Sequence, residues 1–147
     1  MLVNHTDITD FIPHRYPFIM VDGLEEASES RFVSKLTVEK DNIFVINGVL
    51  GESALIENIA QTCALGFGYR DKDNQSEPQI GFIGAISKLK LHELPKIGDS
   101  ITTVVETKHK IQNVLMILGI CSCNGKELLR CEMKVVVAAG EQMKLEA

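Results

Sequence analysis

Between Ser53 and Tyr69 the chain carries one charged residue, Glu57, among mostly small and apolar neighbours. A buried carboxylate costs several kcal/mol unless it is paired or hydrogen-bonded. Gln61 stands one helical turn further on and supplies an amide to hold it, with Ala54 and Ala64 leaving space alongside. In an apolar groove the acid form of such a carboxyl is favoured, which suits a general acid. On the residues alone the alternative stays open: a Glu–Gln pair on a thin, solvent-facing stripe. The second cluster is PHRYPF, 13–18, in which Pro13 and Pro17 stiffen the backbone on either side of His14, Arg15 and Tyr16. Imidazole is the side chain that exchanges a proton near neutral pH, so His14 is either a base or a packing residue where the N-terminal segment meets the first strand.

The other candidates are weaker. His109 lies in KHK on an exposed strand, His92 precedes a turn, and His5 belongs to a flexible N-terminus. Asp22 is placed to pair with Arg15. The four cysteines, Cys63, Cys121, Cys123 and Cys131, read as reduced, buried, inert residues; the C-x-C spacing is tighter than zinc sites use. No metal and no cofactor is expected. The sequence holds no G-x-S-x-G elbow and no glycine-rich phosphate loop.

These residues need elements to carry them. Gly51 to Arg70 has apolar residues at Leu55, Ile59, Cys63 and Phe67, broadened by Ile56, Ala60 and Ala64, which predicts a long helix buried on most sides. Gly66 and Gly68 are expected to loosen its far end, and the polar run 71–78 to end it. The rest reads as β: strands over 17–26 and 31–40 joined by ASES, then 78–94, 99–112, 114–123 and 126–140. Asn124-Gly125 is the strongest hairpin signal. Residues beyond Gly140 are expected to fray. One helix with a continuous meander is an α+β arrangement, a single domain over 1–147 in which five or six antiparallel strands wrap the helix.

Composition narrows the function. With 147 residues, 45% hydrophobic and 24% charged, the chain has the make-up of a globular domain. A net charge of −5 without a basic block speaks against nucleic acid and against an anionic membrane surface. The N-terminus shows no basic segment followed by an apolar core, and no run is long enough to span a membrane, so a cytoplasmic protein is expected.

The two clusters, in this order, resemble a known family. IPHRYPFIMVDGL is similar to the opening of the β-hydroxyacyl-acyl carrier protein dehydratases, GESALIENIAQTCALGFGY to their central helix, and PKIGDSIT to the turn before their later strands. The resemblance spans roughly residues 9 to 137. It implies a hot-dog fold, with the long helix inside a curled sheet, and dimers joined edge to edge around an acyl tunnel. Ordinary members carry a catalytic histidine in a GHFPG-like segment before the helix; this chain has Ile43 there. In that respect it is closer to the dehydratase-like proteins of aryl-polyene biosynthesis, and the resemblance leaves His14 as the base with Glu57 as its acid partner.

The activity implied is dehydration of a 3-hydroxyacyl thioester on an acyl carrier protein, by a homodimer or higher homo-oligomer. A neutral-range base would make the rate rise through about pH 6 to 7. Backbone N–H groups at Gly51, Glu52 and Ser53 are expected to receive the thioester oxygen, with Gln61 and Tyr16 also contacting substrate. Two other readings stand: a hot-dog acyl thioesterase, whose helix carboxylate orients water, and a non-catalytic acyl-binding partner that completes a heterodimer. Thiol release would mark the first, and turnover only with a companion subunit the second.

Overall fold

The structure is a computed structural model that describes residues 1–73 and 80–138. The rest of the expected polar run after residue 73, and the expected frayed end after Gly140, lie outside the described residues. The elements are a 3₁₀ helix (His5–Asp10), β1 (Gly23–Ala27), β2 (Arg31–Thr37), β3 (Val45–Ile46), β4 (Val49–Leu50), α1 (Glu52–Arg70), β5 (Ile80–Leu91), β6 (Ser100–Ile111), β7 (Val114–Cys123) and β8 (Lys126–Ala138). Six of the strands form one antiparallel sheet in the order β1-β2-β6-β7-β8-β5, and β3 pairs with β4 separately. Among the described residues no helix is long and apolar enough to cross a membrane.

Helix α1 packs against β1, β2, β6, β7 and β5, and so touches both edges of the sheet. Six strands about 4.8 Å apart make a sheet about 24 Å wide. A helix is about 10 Å across, so reaching both edges requires the sheet to curl around it. This is the α+β arrangement expected. Period-2 burial drives it: in β7, Leu115, Ile117, Gly119 and Cys121 face inward while their neighbours are half-buried. Leu55, Ile59 and Leu65 of α1 meet Phe32, Ile101, Val105, Leu129 and Met133 of the sheet in one core.

Several expectations change. The first strand starts at Gly23 rather than residue 17, because the backbone of 18–20 hydrogen-bonds to helix side chains instead of a neighbouring strand. Gly66 and Gly68 do not loosen α1, which runs to Arg70. A Cβ on Gly66 would meet the Phe32 ring, and one on Gly68 the Phe11 carbonyl, so these glycines permit close packing. Asn124-Gly125 makes the expected turn with φ of 51° and 77°. Asn47-Gly48, φ 54° and 80°, does the same between β3 and β4, a hairpin the strand reading missed because each arm has only two residues.

Candidate active site

The stripe of α1 that is not buried in the core carries Glu57, Ala60, Ala64, Phe67 and Gly68, spaced by three and four residues. It forms one wall of a cavity of about 440 Å³. That size is within the range of small-molecule sites. Gly81, Phe82 and Ile83 of β5, with Leu115 of β7 and Val135 of β8, form the apolar opposite side. His14 is in the same wall set as Glu57, so the structure brings the two sequence-predicted proton carriers to one cavity.

Their surroundings differ. Glu57 is half-buried, and the Gln61 Nε2 donates to its Oε2 at 3.3 Å. His14 is half-buried, its Nδ1 enclosed and, among the described residues, without a hydrogen-bond partner. Burial lowers the His14 pKa below the usual 6.5; the nearby Glu57 charge opposes that shift, and Arg15 adds to it. The imidazole is therefore the neutral form near pH 7, able to accept a proton. Arg15 is turned away, donating to Ile12 O at 2.9 Å and His14 O at 2.7 Å.

Gln61 is fully buried, with no surface in the cavity. Its Oε1 accepts from Met20 N–H at 2.6 Å and its Nε2 donates to Phe18 O at 2.9 Å. It staples residues 18–20 to the helix and steadies Glu57, where substrate contact was expected. Tyr16 is 80% exposed and lines a different groove, beside Pro17 and Met20; its peptide bond to Pro17 is cis. Gly51, Glu52 and Ser53 are not in the cavity wall. The Gly51 N–H donates to Phe44 O at 2.9 Å, tying the helix start to the β3–β4 hairpin. Ala54 is in the core, and Ala60 takes the place expected for it beside Glu57.

The remaining histidines and Asp22 lie outside the cavity wall. Asp22 accepts from Thr37 N–H at 2.6 Å and lies 3.8 Å from His5 Nδ1, so it does not pair with Arg15, and His5 sits in a 3₁₀ helix rather than a free terminus. His92 meets Glu127 at 2.8 Å on the surface, and His109 is exposed. The thiols of Cys63 and Cys121 are pushed up to about 12 by burial, and Cys131 to about 11. All four cysteines are free. No group of three or more His, Cys, Asp or Glu among the described residues is arranged to hold a metal. The sequence reading missed Asn58, fully buried beside Glu57, and the β5 residues of the far wall, which only the sheet order brings to the helix.

The profile of the family described as ApeP-like, ApeP dehydratase, matches residues 6–145. The 3-hydroxyacyl-[acyl-carrier-protein] dehydratase FabZ of Enterococcus faecalis is 28% identical over 147 residues, covering 93% of this chain and 99% of that protein. The dehydratase of the same name from Halalkalibacterium halodurans is 28% identical over 141 residues, covering 89% and 96%. Among solved structures, the dehydratase heterocomplex ApeI:P from Xenorhabdus doucetiae superposes with a TM-score of 0.85 at 16% identity, covering 94% of this chain and 95% of that one. A hypothetical thioesterase from Streptococcus pneumoniae, solved with coenzyme A, gives 0.63 at 14% identity over 79% and 84%. At such identities the structural likeness speaks for the hot-dog fold alone.

Proposed function

The chain belongs to the ApeP-like dehydratase family, and from that premise we propose that it removes water from a 3-hydroxyacyl thioester carried on an acyl carrier protein, with His14 as base and Glu57 as acid. The observation that carries the assignment is the shared cavity: an acid and an imidazole nitrogen that is unpaired among the described residues border one space with apolar walls. The C2–H bond breaks, its proton passes to His14, and its electron pair becomes the second bond between C2 and C3. The C3–O bond breaks as Glu57 passes a proton to that oxygen, and water leaves. Proton exchange then resets both groups. The apolar side chains along the α1 stripe and β5 suit an acyl chain.

The acyl carrier protein is the partner this reading requires. A second copy is the other: among the described residues β5 is a sheet edge with Phe82, Ile86 and Leu91 exposed, and an edge of this kind can be completed by another strand. Four free thiols fit action in the reducing cytoplasm. The test is incubation with 3-hydroxyacyl carrier protein. Loss of one water from the acyl group, without thiol release, is expected. Thiol release would favour a thioesterase, and turnover only after a companion chain is added would favour a heterodimer subunit.

A further inference from the structure

Building on that reading, we propose that Asn58 is a positioning residue for the pair, locking the segment that bears His14 onto α1 beside Glu57. Asn58 is completely buried in a core that is otherwise mostly apolar, where an amide is costly unless its atoms are bonded. Its Nδ2 donates to Met20 O at 2.7 Å. Its Oδ1 accepts from Thr103 Oγ1, with Cys121 Sγ 3.6 Å away as a second donor. Thr62 Oγ1 donates to the Asn58 carbonyl at 2.6 Å and meets Ser34 Oγ at 2.6 Å. The network thus joins α1 to β2, β6 and β7, and among the described residues its one contact outside helix and sheet is the carbonyl of Met20.

That contact is the informative one. Gln61 holds the N–H of Met20 and Asn58 holds its C=O, so both polar groups of one residue are gripped from the same helix. At the other end of the segment, Gly68 admits the Phe11 carbonyl against α1. His14 is suspended between the two anchors, with Pro13 and Pro17 stiffening the span. Neighbouring residues on a helix point about 100° apart, so Glu57 faces the cavity while Asn58 faces the core. A leucine of similar size would fill the site without the need for partners. The polar choice fixes a register between segment and helix, and with it the placement of His14 relative to Glu57.

The test compares Asn58→Leu with Thr103→Val, which breaks the network on the sheet side but leaves Met20 O bonded. Two readouts are taken: kcat and KM on 3-hydroxyacyl carrier protein, and the imidazole resonances of His14 in ¹H–¹⁵N spectra. Asn58→Leu is expected to lower kcat about ten- to a hundredfold with KM within about threefold, as a displaced proton carrier would, and to move the His14 resonances. Thr103→Val is expected to lower the melting temperature with a several-fold smaller effect on kcat and His14 resonances like those of the wild type. If both variants lose kcat in step with stability, or if Asn58→Leu leaves the His14 resonances in place, Asn58 is a packing residue and the proposal falls. Asn58→Ser, too short to reach Met20 O, takes the place of Asn58→Leu if that variant does not fold. Were the wild type inactive as a dehydratase, the functional reading would fall by itself, and the resonances would still decide what Asn58 positions.

Discussion

Gln61→Met separates a staple from a substrate ligand. Methionine keeps the length of the side chain and removes its amide. The structure gives that amide three partners: Met20 N–H at 2.6 Å, Phe18 O at 2.9 Å and Glu57 Oε2 at 3.3 Å. The first is buried and would be left without an acceptor, at about 1–3 kcal/mol. The Phe18 carbonyl is partly open, so water recovers some of its bond and the loss is about 1 kcal/mol. The long contact to Glu57 adds little. The sum, about 2–4 kcal/mol, is a large part of the roughly 5–15 kcal/mol that holds a domain together. At about 3 °C per kcal/mol for a chain near this size, the melting temperature should fall by about 6–12 °C. Urea unfolding with an unchanged m-value measures it directly. The folded variant should retain more activity than Glu57→Gln, since the proton carrier is still there. A stability change under about 1 kcal/mol together with a large rise in KM would refute this reasoning and return Gln61 to the substrate.

Glu57→Gln should lower turnover at least a hundredfold while moving the melting temperature by only a few degrees, because the one hydrogen bond described for its carboxylate is long; unfolding of the variant would instead mark Glu57 as a structural acid. For His14 the folded pKa lies below the unfolded value near 6.5, so the unfolded chain takes up the proton first. Stability from this group is therefore full above about pH 6.5 and declines as pH falls through that value towards the folded pKa. The difference in stability between wild type and His14→Gln should show that slope, and the rising limb of kcat/KM should lie lower than an ordinary histidine gives; a difference independent of pH would count against it. Gly66→Ala places a methyl group against the Phe32 ring and should cost about 1–3 kcal/mol in thermal unfolding. Cys63, with its thiol at about 12, should resist a thiol reagent in the native protein at pH 8 and react once the chain is unfolded; fast native labelling at Cys63 would contradict its burial.

Local patterns carried much of this in the sequence itself. The helix over 51–70, the long strands and the Asn124-Gly125 turn follow from periodicity and from residues that tolerate positive φ, which act over a few neighbours. Glu57 could be singled out because a lone charge in an apolar helix is conspicuous wherever the chain folds, and His14 because two prolines frame it. Which groups meet across the fold was not legible. Asp22 could have paired with Arg15 or His5, Gln61 could have faced substrate or backbone, and Tyr16 could have lined either groove. Those outcomes depend on the curl of the sheet and on where residues 11–20 cross α1, contacts between segments some forty residues apart. The sheet order puts β5, last among the strands in space though not in the chain, across the cavity from Glu57. Sequence spacing gives residue types their local faces, while only tertiary packing decides whether a face meets solvent, backbone or a neighbouring side chain.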